Sequence, residues 1–239
     1  MIISPIGYRG SKRVAMPHLE FIEGDLFVDV FGGSGTVVMN QEGSRVYNDI
    51  DPALCRFMVL LRDDPHFILE NLKFYLHARE EWEVCAMEPT DPIKWFVTMQ
   101  MSHGCSGESW GRDLRNNSVI TTLYETKKEK ILSASHALKG VVIENSDYTV
   151  VFRKYDSPDT VFYLDPPYNE THISYQTIDH VRFLNAVFNL KGVAYVSGYP
   201  SALYAKYPWD DQKEWRQRAN IVHKKTVTAT ECLWFKDRS

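Results

Sequence analysis

The sequence predicts a doubly wound, Rossmann-like α/β fold with a sheet of about seven strands. Short strands rich in β-branched and aromatic residues alternate with helical stretches, which predicts a parallel sheet covered on both faces. Beyond Trp215 two extended stretches follow each other without a helix, which predicts a closing antiparallel hairpin. We expect one domain over residues 1–239, because this length suffices for one such sheet with an insertion.

Five strands of the parallel part are predicted from short apolar runs. They are residues 26–30, 44–48, 141–145, 161–164 and 193–197. Each run is rich in residues that favour a pleated, buried surface. Helices are expected to fill the gaps between these strands.

Helix boundaries are indicated by aspartate–proline pairs and by glycines. Asp51-Pro52, Asp64-Pro65 and Asp91-Pro92 each offer an N-cap side chain followed by a proline at the first helical position. Gly140 and Gly192 each follow a helical stretch and precede a strand, which predicts two helix C-termini. This order of elements is typical of βαβ units.

The net charge of −4 hides a basic excess outside residues 20–91. That range holds 15 acids and 5 bases, a balance of −10, so the rest of the chain carries −4 minus −10, or +6. Affinity for nucleic acid depends on Lys and Arg that reach the phosphates. The distribution is therefore compatible with a nucleic-acid partner, although an ordinary solvated surface is the more common explanation for such a modest excess.

Neither a membrane span nor a metal site is expected. The longest apolar runs, such as residues 57–61, fall far short of the roughly 20 residues of a membrane helix, and the first residues lack a signal-peptide layout. We therefore expect a cytoplasmic protein. The four cysteines form no C-x-x-C pair and the eight histidines show no metal-binding spacing, so we expect reduced thiols and assign no histidine a role.

A glycine-rich turn follows the first strand, in residues 27–36. Its glycines are Gly32, Gly33 and Gly35. They would let the backbone approach a nucleoside closely before a helix begins, and Asp49, at the end of the next strand, could accept hydrogen bonds from ribose hydroxyls. Asp29 could bind the ammonium group of a cofactor or orient the turn. The spacing is not G-x-G-x-x-G, which disfavours an NAD-dependent oxidoreductase and suits S-adenosylmethionine, a nucleoside without phosphate.

The tetrapeptide Asp165-Pro166-Pro167-Tyr168 directly follows the strand at 161–164, where open α/β sheets bind ligands. Two prolines fix the backbone and remove two N–H donors, which leaves carbonyl oxygens beside a carboxylate. Asp165 and the Pro166 carbonyl could accept both N–H groups of an exocyclic amine, whose nitrogen would then attack a sulfonium methyl. Tyr168, and also Tyr199, could stack on a base rotated out of a duplex.

Together these motifs resemble those of the Dam-like DNA adenine methyltransferases of the alpha group, especially compact phage-borne members. The similar segments are GYRGSK at 7–12, FVDVFGGSG at 27–35, YNDID at 47–51, NSDY at 145–148 and DPPY at 165–168. The resemblance covers nearly the whole chain. It implies a Rossmann-like methyltransferase sheet that uses S-adenosyl-L-methionine to methylate N6 of an adenine flipped out of double-stranded DNA.

The resemblance also implies roles for particular residues. Cofactor contacts are expected from Tyr8, Lys12, Asp29, Phe31, Gly32, Gly33, Ser34, Gly35, Asp49, Ile50, Asp147, Tyr148 and Asp165. Catalytic roles are expected for Asp165, Pro166, Pro167 and Tyr168. Lys12 should lie near the cofactor or the DNA, and Ser11 stands where the family often has a second glycine.

A small target-recognition segment is expected as an insertion at residues 101–128. Its part from 101 to 117 is rich in Gly, Ser and Asn and follows no helix or strand period, as functional loops often do. DNA contacts are expected from Arg9, Lys12, Arg112, Arg115, Asn116 and Asn117. Arg pairs with guanine edges and Asn with adenine, although each of these residues would also suit a plain loop surface.

Two alternatives to adenine methylation of DNA stay open. The same acceptor pair could hold the amino group of cytosine, giving N4 methylation, or an adenine in RNA. A catalytically silent module that keeps the fold and binds nucleic acid is a candidate from a different class. We expect a monomer.

Overall fold

The computed structural model describes residues 1–8, 10–111, 123–167, 178–222 and 225–238, with side chains in the last hairpin given up to Arg216 and from Thr228. In these ranges the chain builds one seven-stranded sheet and seven α-helices. No helix in them is both long and apolar enough to cross a membrane.

The sheet has the strand order β3-β2-β1-β4-β5-β7-β6. Its strands are β1 Leu26–Asp29, β2 Ser44–Asn48, β3 Val142–Glu144, β4 Thr160–Leu164, β5 Val193–Gly198, β6 Asp211–Val222 and β7 Lys225–Lys236. Strands β1 to β5 are parallel, and β7 runs antiparallel between β5 and β6. The predicted doubly wound, Rossmann-like sheet with a C-terminal hairpin is confirmed.

Seven helices connect or flank these strands. They are α1 Pro52–Asp63, α2 Pro65–Leu72, α3 Arg79–Ala86, α4 Pro92–Met101, α5 Leu123–Leu138, α6 Tyr148–Tyr155 and α7 His180–Phe188. The three predicted N-caps are confirmed: the carboxylates of Asp51, Asp64 and Asp91 accept hydrogen bonds from backbone N–H groups in the first turns of α1, α2 and α4.

Two local predictions are wrong. No α-helix connects β1 to β2, because the glycine turn is followed only by a short 3-10 helix, Val38–Asn40. Gly192 does not end α7, which stops at Phe188. Glycine is needed at position 192 because the backbone there passes close to β4: a Cβ would lie 2.5 Å from the Thr160 carbonyl oxygen. Gly140 does follow the end of α5, with the predicted left-handed backbone at φ +78°.

The central strands β1, β4 and β5 are buried, and successive side chains along each of them point to opposite faces of the sheet. Val28 and Phe162 point into one core, which α6 and α7 complete. Phe27 and Tyr163 point to the opposite face, where the segment around Ala15 covers them. On that side α1, α2, α4 and α5 form a further core. Because β1, β2, β4 and β5 are parallel, their carboxyl ends lie at one edge of the sheet.

Candidate active site

Asp165 lies at the carboxyl end of β4, where two polar side chains fix its carboxylate. Lys12 Nζ lies 2.9 Å from Asp165 Oδ1, and Ser197 Oγ, near the end of β5, donates to the same oxygen at 2.9 Å. Because the Ser197 proton is used there, the Tyr163 hydroxyl, 3.0 Å away, donates in turn to Ser197. The carboxylate stays partly accessible, with 18% of its side chain exposed.

Lys12 is buried between two carboxylates. Its Nζ lies 2.5 Å from Glu231 Oε1 on β7, and the Glu231 side chain is completely buried. Burial alone would lower the pKa of Lys12, but the charges of Asp165 and Glu231 raise that pKa above its ordinary value. Lys12 is therefore a permanent ammonium at this end of the sheet.

Residues 165–167, which follow β4 and are called the proline loop, are hydrogen-bonded to the start of α7. His180 Nε2 donates to the Pro167 carbonyl oxygen at 3.1 Å, and His180 Nδ1 accepts from the Tyr204 hydroxyl at 2.8 Å. A carbonyl only accepts, so the proton of the neutral ring sits on Nε2. Burial lowers the pKa of His180, which favours this neutral form. Pro166 is buried, and the predicted catalytic residue Tyr168 lies outside the described residues.

The glycine turn is held by the end of β2. Gly33 N–H donates to Asp49 Oδ2 at 2.9 Å, and the Tyr47 hydroxyl donates to the Gly33 carbonyl at 2.8 Å. A Cβ at Gly32 would lie 2.2 Å from the Tyr47 ring, so only glycine fits against this tyrosine. Gly33 itself has φ +48°. The turn is therefore shaped by the protein before any ligand binds.

Asp29 is a buried carboxylate beneath this turn. Its Oδ2 accepts from Val38 N–H at 3.3 Å, while its buried Oδ1 has no hydrogen-bond partner among the described residues. Burial, and then the nearby charge of Asp165, raise the pKa of Asp29 to about 8. A buried carboxyl oxygen without a hydrogen-bond partner is costly, and it marks a position where the ammonium group of a ligand would bind while the carboxyl gives up its proton.

The N-terminal segment joins the glycine turn to the Asp165 loop. Ser34 Oγ donates to Ser11 Oγ at 3.3 Å, and the next residue, Lys12, reaches Asp165. The Tyr8 ring lies against the turn, since a Cβ at Gly33 would come within 3.3 Å of it. Arg9 lies outside the described residues. The glycine turn and the proline loop are thus brought together by one short segment.

The other predicted cofactor residues lie around the ends of β2 and β3. Ile50 is half exposed, and burial raises the pKa of Asp49. Asp147 caps α6 through the Thr149 N–H, and its neighbour Tyr148 packs its ring into the core against Phe31, 6.1 Å between ring centres. Tyr148 is therefore a core residue in this structure, whereas the side chain of Asp147 is exposed.

The predicted recognition segment is described only at its two ends. After α4 the chain makes a short 3-10 helix, His103–Cys105, and Ser102 forms an isolated bridge with Trp110. Residues 123–128 form the beginning of α5. The predicted DNA contacts Arg112, Arg115, Asn116 and Asn117 lie outside the described residues.

Sequence reasoning missed Glu231 and His180. Neither belongs to a motif whose spacing indicates chemistry, and each acts on the site through a contact formed only by folding. Within the described ranges no three His, Cys, Asp or Glu side chains are grouped so as to hold a metal ion.

Comparison with known families gives one match. The model of the D12 class N6 adenine-specific DNA methyltransferase family matches residues 114–230. That range is 117 of 239 residues, just under half of the chain. The matched range contains the proline loop and His180, but not the glycine turn, Lys12 or Glu231. No curated protein matches the chain in sequence.

Several solved structures resemble the fold at very low sequence identity. One, described as a candidate RNA methyltransferase from Pyrococcus horikoshii, is 11% identical, with 97% of this chain and 84% of that chain covered and a TM-score of 0.44. Another, a precorrin-6y C5,15-methyltransferase from Geobacter metallireducens, is 8% identical, with 94% and 85% covered and a TM-score of 0.40. These values are too low to carry an argument about substrate.

Proposed function

We propose that the protein is an S-adenosyl-L-methionine-dependent methyltransferase that methylates the N6 amino group of adenine in double-stranded DNA. The observation that carries the proposal is the pairing of Asp165 with a donor-free proline backbone that Lys12 and Ser11 link to the glycine turn. The D12 family match over residues 114–230 supports the choice of adenine in DNA.

The residues around the glycine turn fit this cofactor. The orphaned Oδ1 of Asp29 suits its methionyl ammonium group, which would provide the missing donor. Asp49, oriented by the N–H groups of Gly33 and Asp51, suits the ribose hydroxyls. When bound, the cofactor supplies an electrophilic methyl group on a sulfonium centre. The buried ion pairs of Lys12 favour a place beside this pocket over a contact with DNA phosphates.

The proline loop would bind the amino group of the target base through two hydrogen bonds. The Asp165 carboxylate and the Pro166 carbonyl each accept one N–H, which draws the nitrogen toward tetrahedral geometry and directs its lone pair at the methyl group. Lys12 and Ser197 hold the carboxylate, and His180 holds the loop, so these acceptors need little rearrangement during reaction. The site works by position and charge, without a covalent intermediate.

The base must leave the duplex to reach this loop. Unstacking costs a few kcal/mol, which stacking on an aromatic side chain partly offsets. Tyr168 remains our proposal for this role, with Tyr199, directly after β5, as a second stacking residue. Arg9, Arg112, Arg115, Asn116 and Asn117 remain proposed DNA contacts.

The variant Asp165→Asn tests the proposal. It keeps the size of the side chain but removes the charge that Lys12 holds, so methyl transfer to DNA should fall about a thousandfold. Cofactor affinity, measured by calorimetry, should change only a few-fold. Asp159→Asn, an exposed position just before the same strand, is the matched control and should leave transfer unchanged. Full activity of Asp165→Asn would refute the assigned role.

A further inference from the structure

The last two strands extend beyond the rest of the sheet. β7 pairs with β5 only from Cys232 to Lys236, and Cys232 lies opposite Gly198, the last residue of β5. Because β7 is antiparallel to β5, the earlier residues of β7 lie beyond the carboxyl end of β5. In the described part of the chain they pair with β6 alone. We call residues 216–222 of β6 and 225–230 of β7 the ribbon.

The ribbon begins at the candidate active site. Its first pair, Arg216 and Thr230, directly follows the level of Glu231, whose carboxylate contacts Lys12. Lys12 in turn contacts Asp165. Seven residues of β6 span about 23 Å at the rise of an extended strand. The ribbon therefore projects from the edge of the sheet on which a duplex must lie if one of its bases is to reach the proline loop.

The ribbon sequence is basic and contains no acid. Residues 216–230 hold four Lys and Arg and no Asp or Glu, although acids outnumber bases by 31 to 27 in the whole chain. The four are Arg216, Arg218, Lys224 and Lys225. Arg216 and Arg218 lie two residues apart on β6, so they belong to the same face of the strand. Arg216 is exposed, whereas Trp215, on the opposite face, is buried.

Stability does not explain a basic ribbon at this place. A two-stranded ribbon without further strands is marginally stable, so extending one adds little to the fold. Charged side chains on an edge strand also prevent pairing with other chains, but acids would serve that purpose as well as bases. The use of a single sign, in a chain with a net charge of −4, favours an anionic partner.

We propose that the ribbon is a DNA-binding element, separate from the segment at 101–128, in which Arg216, Arg218 and Lys225 bind phosphates of the duplex beside the flipped base. This inference rests on the proposed function. A two-stranded β-ribbon fits the major groove of B-DNA, which is about 12 Å wide. Contacts to phosphates fix the position of the duplex without reading its sequence. The ribbon therefore holds the duplex while the proline loop binds the base.

The test removes two of these charges in the double variant Arg216→Gln with Arg218→Gln. Dissociation constants for a short double-stranded DNA are measured by fluorescence anisotropy at several salt concentrations. Each lost phosphate contact lowers the slope of log affinity against log salt by about one, so the slope should fall by about two. The dissociation constant at 0.1 M salt should rise at least tenfold. Affinity for S-adenosylmethionine, measured by calorimetry, should stay within about twofold and shows that the variant is folded.

The matched control removes the same charge from the opposite edge of the sheet. Lys139 and Lys191 are exposed and precede β3 and β5, so they lie near the amino ends of these strands. The double variant Lys139→Gln with Lys191→Gln should keep the wild-type slope. Arg216→Lys with Arg218→Lys, which keeps both charges, should also keep it. If the double glutamine variant does not fold, Lys225→Gln on β7 should lower the slope by about one.

The possible results separate the inference from the proposed function. A wild-type protein that neither binds nor methylates double-stranded DNA would overturn the proposed function and the inference with it. A protein that methylates DNA but keeps its slope in the glutamine variants would overturn only the role of the ribbon. An equal fall in the Lys139 and Lys191 control, or weaker binding of double-stranded RNA without weaker binding of DNA, would also overturn that role.

Discussion

The protonation of the buried side chain of Asp29 makes the stability of the protein depend on pH. Its pKa of about 8, raised first by burial and then by Asp165, lies far above the ordinary value of 3.8. Between about pH 4 and pH 8 the folded protein therefore holds a proton that the unfolded chain releases. Because the folded state binds more protons, this group's contribution to the free energy of unfolding falls as pH rises through that range.

Cofactor binding should release this proton. A methionyl ammonium beside Asp29 Oδ1 favours the ionised carboxylate, so at pH 6.5 binding should release close to one proton per cofactor. Calorimetry in two buffers with different ionisation enthalpies measures the number. Release should decline toward zero well above pH 8, where Asp29 is already ionised.

The matched control for this prediction is Asp29→Asn, which has the same size and no proton to lose. It should bind the cofactor about tenfold more weakly and without proton release. Equal proton release from the wild-type protein and Asp29→Asn would show that the ammonium group does not lie beside Asp29.

Some residues of the candidate site could be predicted from the sequence and others could not. Asp165 and the glycine turn stand in contiguous motifs, so their chemistry could be predicted from a few neighbouring letters. Glu231 could not, because its partner Lys12 is 219 residues away and only the antiparallel pairing of β7 with β5 brings the two together.

At the level of elements, the proposed catalytic residues Asp165 to Pro167 directly follow β4, and α7 restrains Pro167. His180, the first residue of α7, donates to the Pro167 carbonyl, and Tyr204 fixes the other ring nitrogen. The hydrogen bond joins a loop to a helix whose apolar face is packed into the core by Phe183 and Leu184. The Pro167 carbonyl is therefore held by a helix that is itself anchored in the core.

Breaking this tether should slow methyl transfer. His180→Phe removes the donor to Pro167 while keeping a ring of similar shape, and one lost hydrogen bond should lower the turnover number about fivefold. Tyr204→Phe keeps the donor and should have a smaller effect. His136→Phe, at an exposed position on α5, is the control. Cofactor affinity should be unchanged in all three, and unaltered turnover in His180→Phe would contradict a role for the tether.

Helix boundaries could be predicted where they depend on residues next to each other in sequence. The three aspartate caps act within their own helix turns, so Asp51, Asp64 and Asp91 mark helix starts correctly. Gly192 was misassigned because its small size is needed against the backbone of Thr160 and Ser157, which no local pattern reveals. The short connection from β1 to β2 was also misassigned, since the glycine turn uses the residues that a helix would need.

At the scale of the whole molecule, the strand order of the sheet brings the residues of the candidate site together. Strands β1, β4 and β5 are neighbours and parallel, so Asp29, Asp165 and Ser197 come to the same edge although they are far apart in sequence. The N-terminal segment then crosses this edge and brings Lys12 to Asp165. The predicted alternation of strands and helices was sufficient for this architecture, whereas the contacts across the edge depend on tertiary packing.

The most direct test of the account is the identity of the methylated nucleoside. The wild-type protein would be incubated with S-adenosylmethionine and, in separate reactions, with double-stranded DNA and with RNA, and the digested nucleosides analysed by mass spectrometry. The account predicts N6-methyldeoxyadenosine from the DNA and no methylated adenosine from the RNA. Methylation of cytosine N4, methylation of RNA alone, or no methylated nucleoside despite bound cofactor would contradict it.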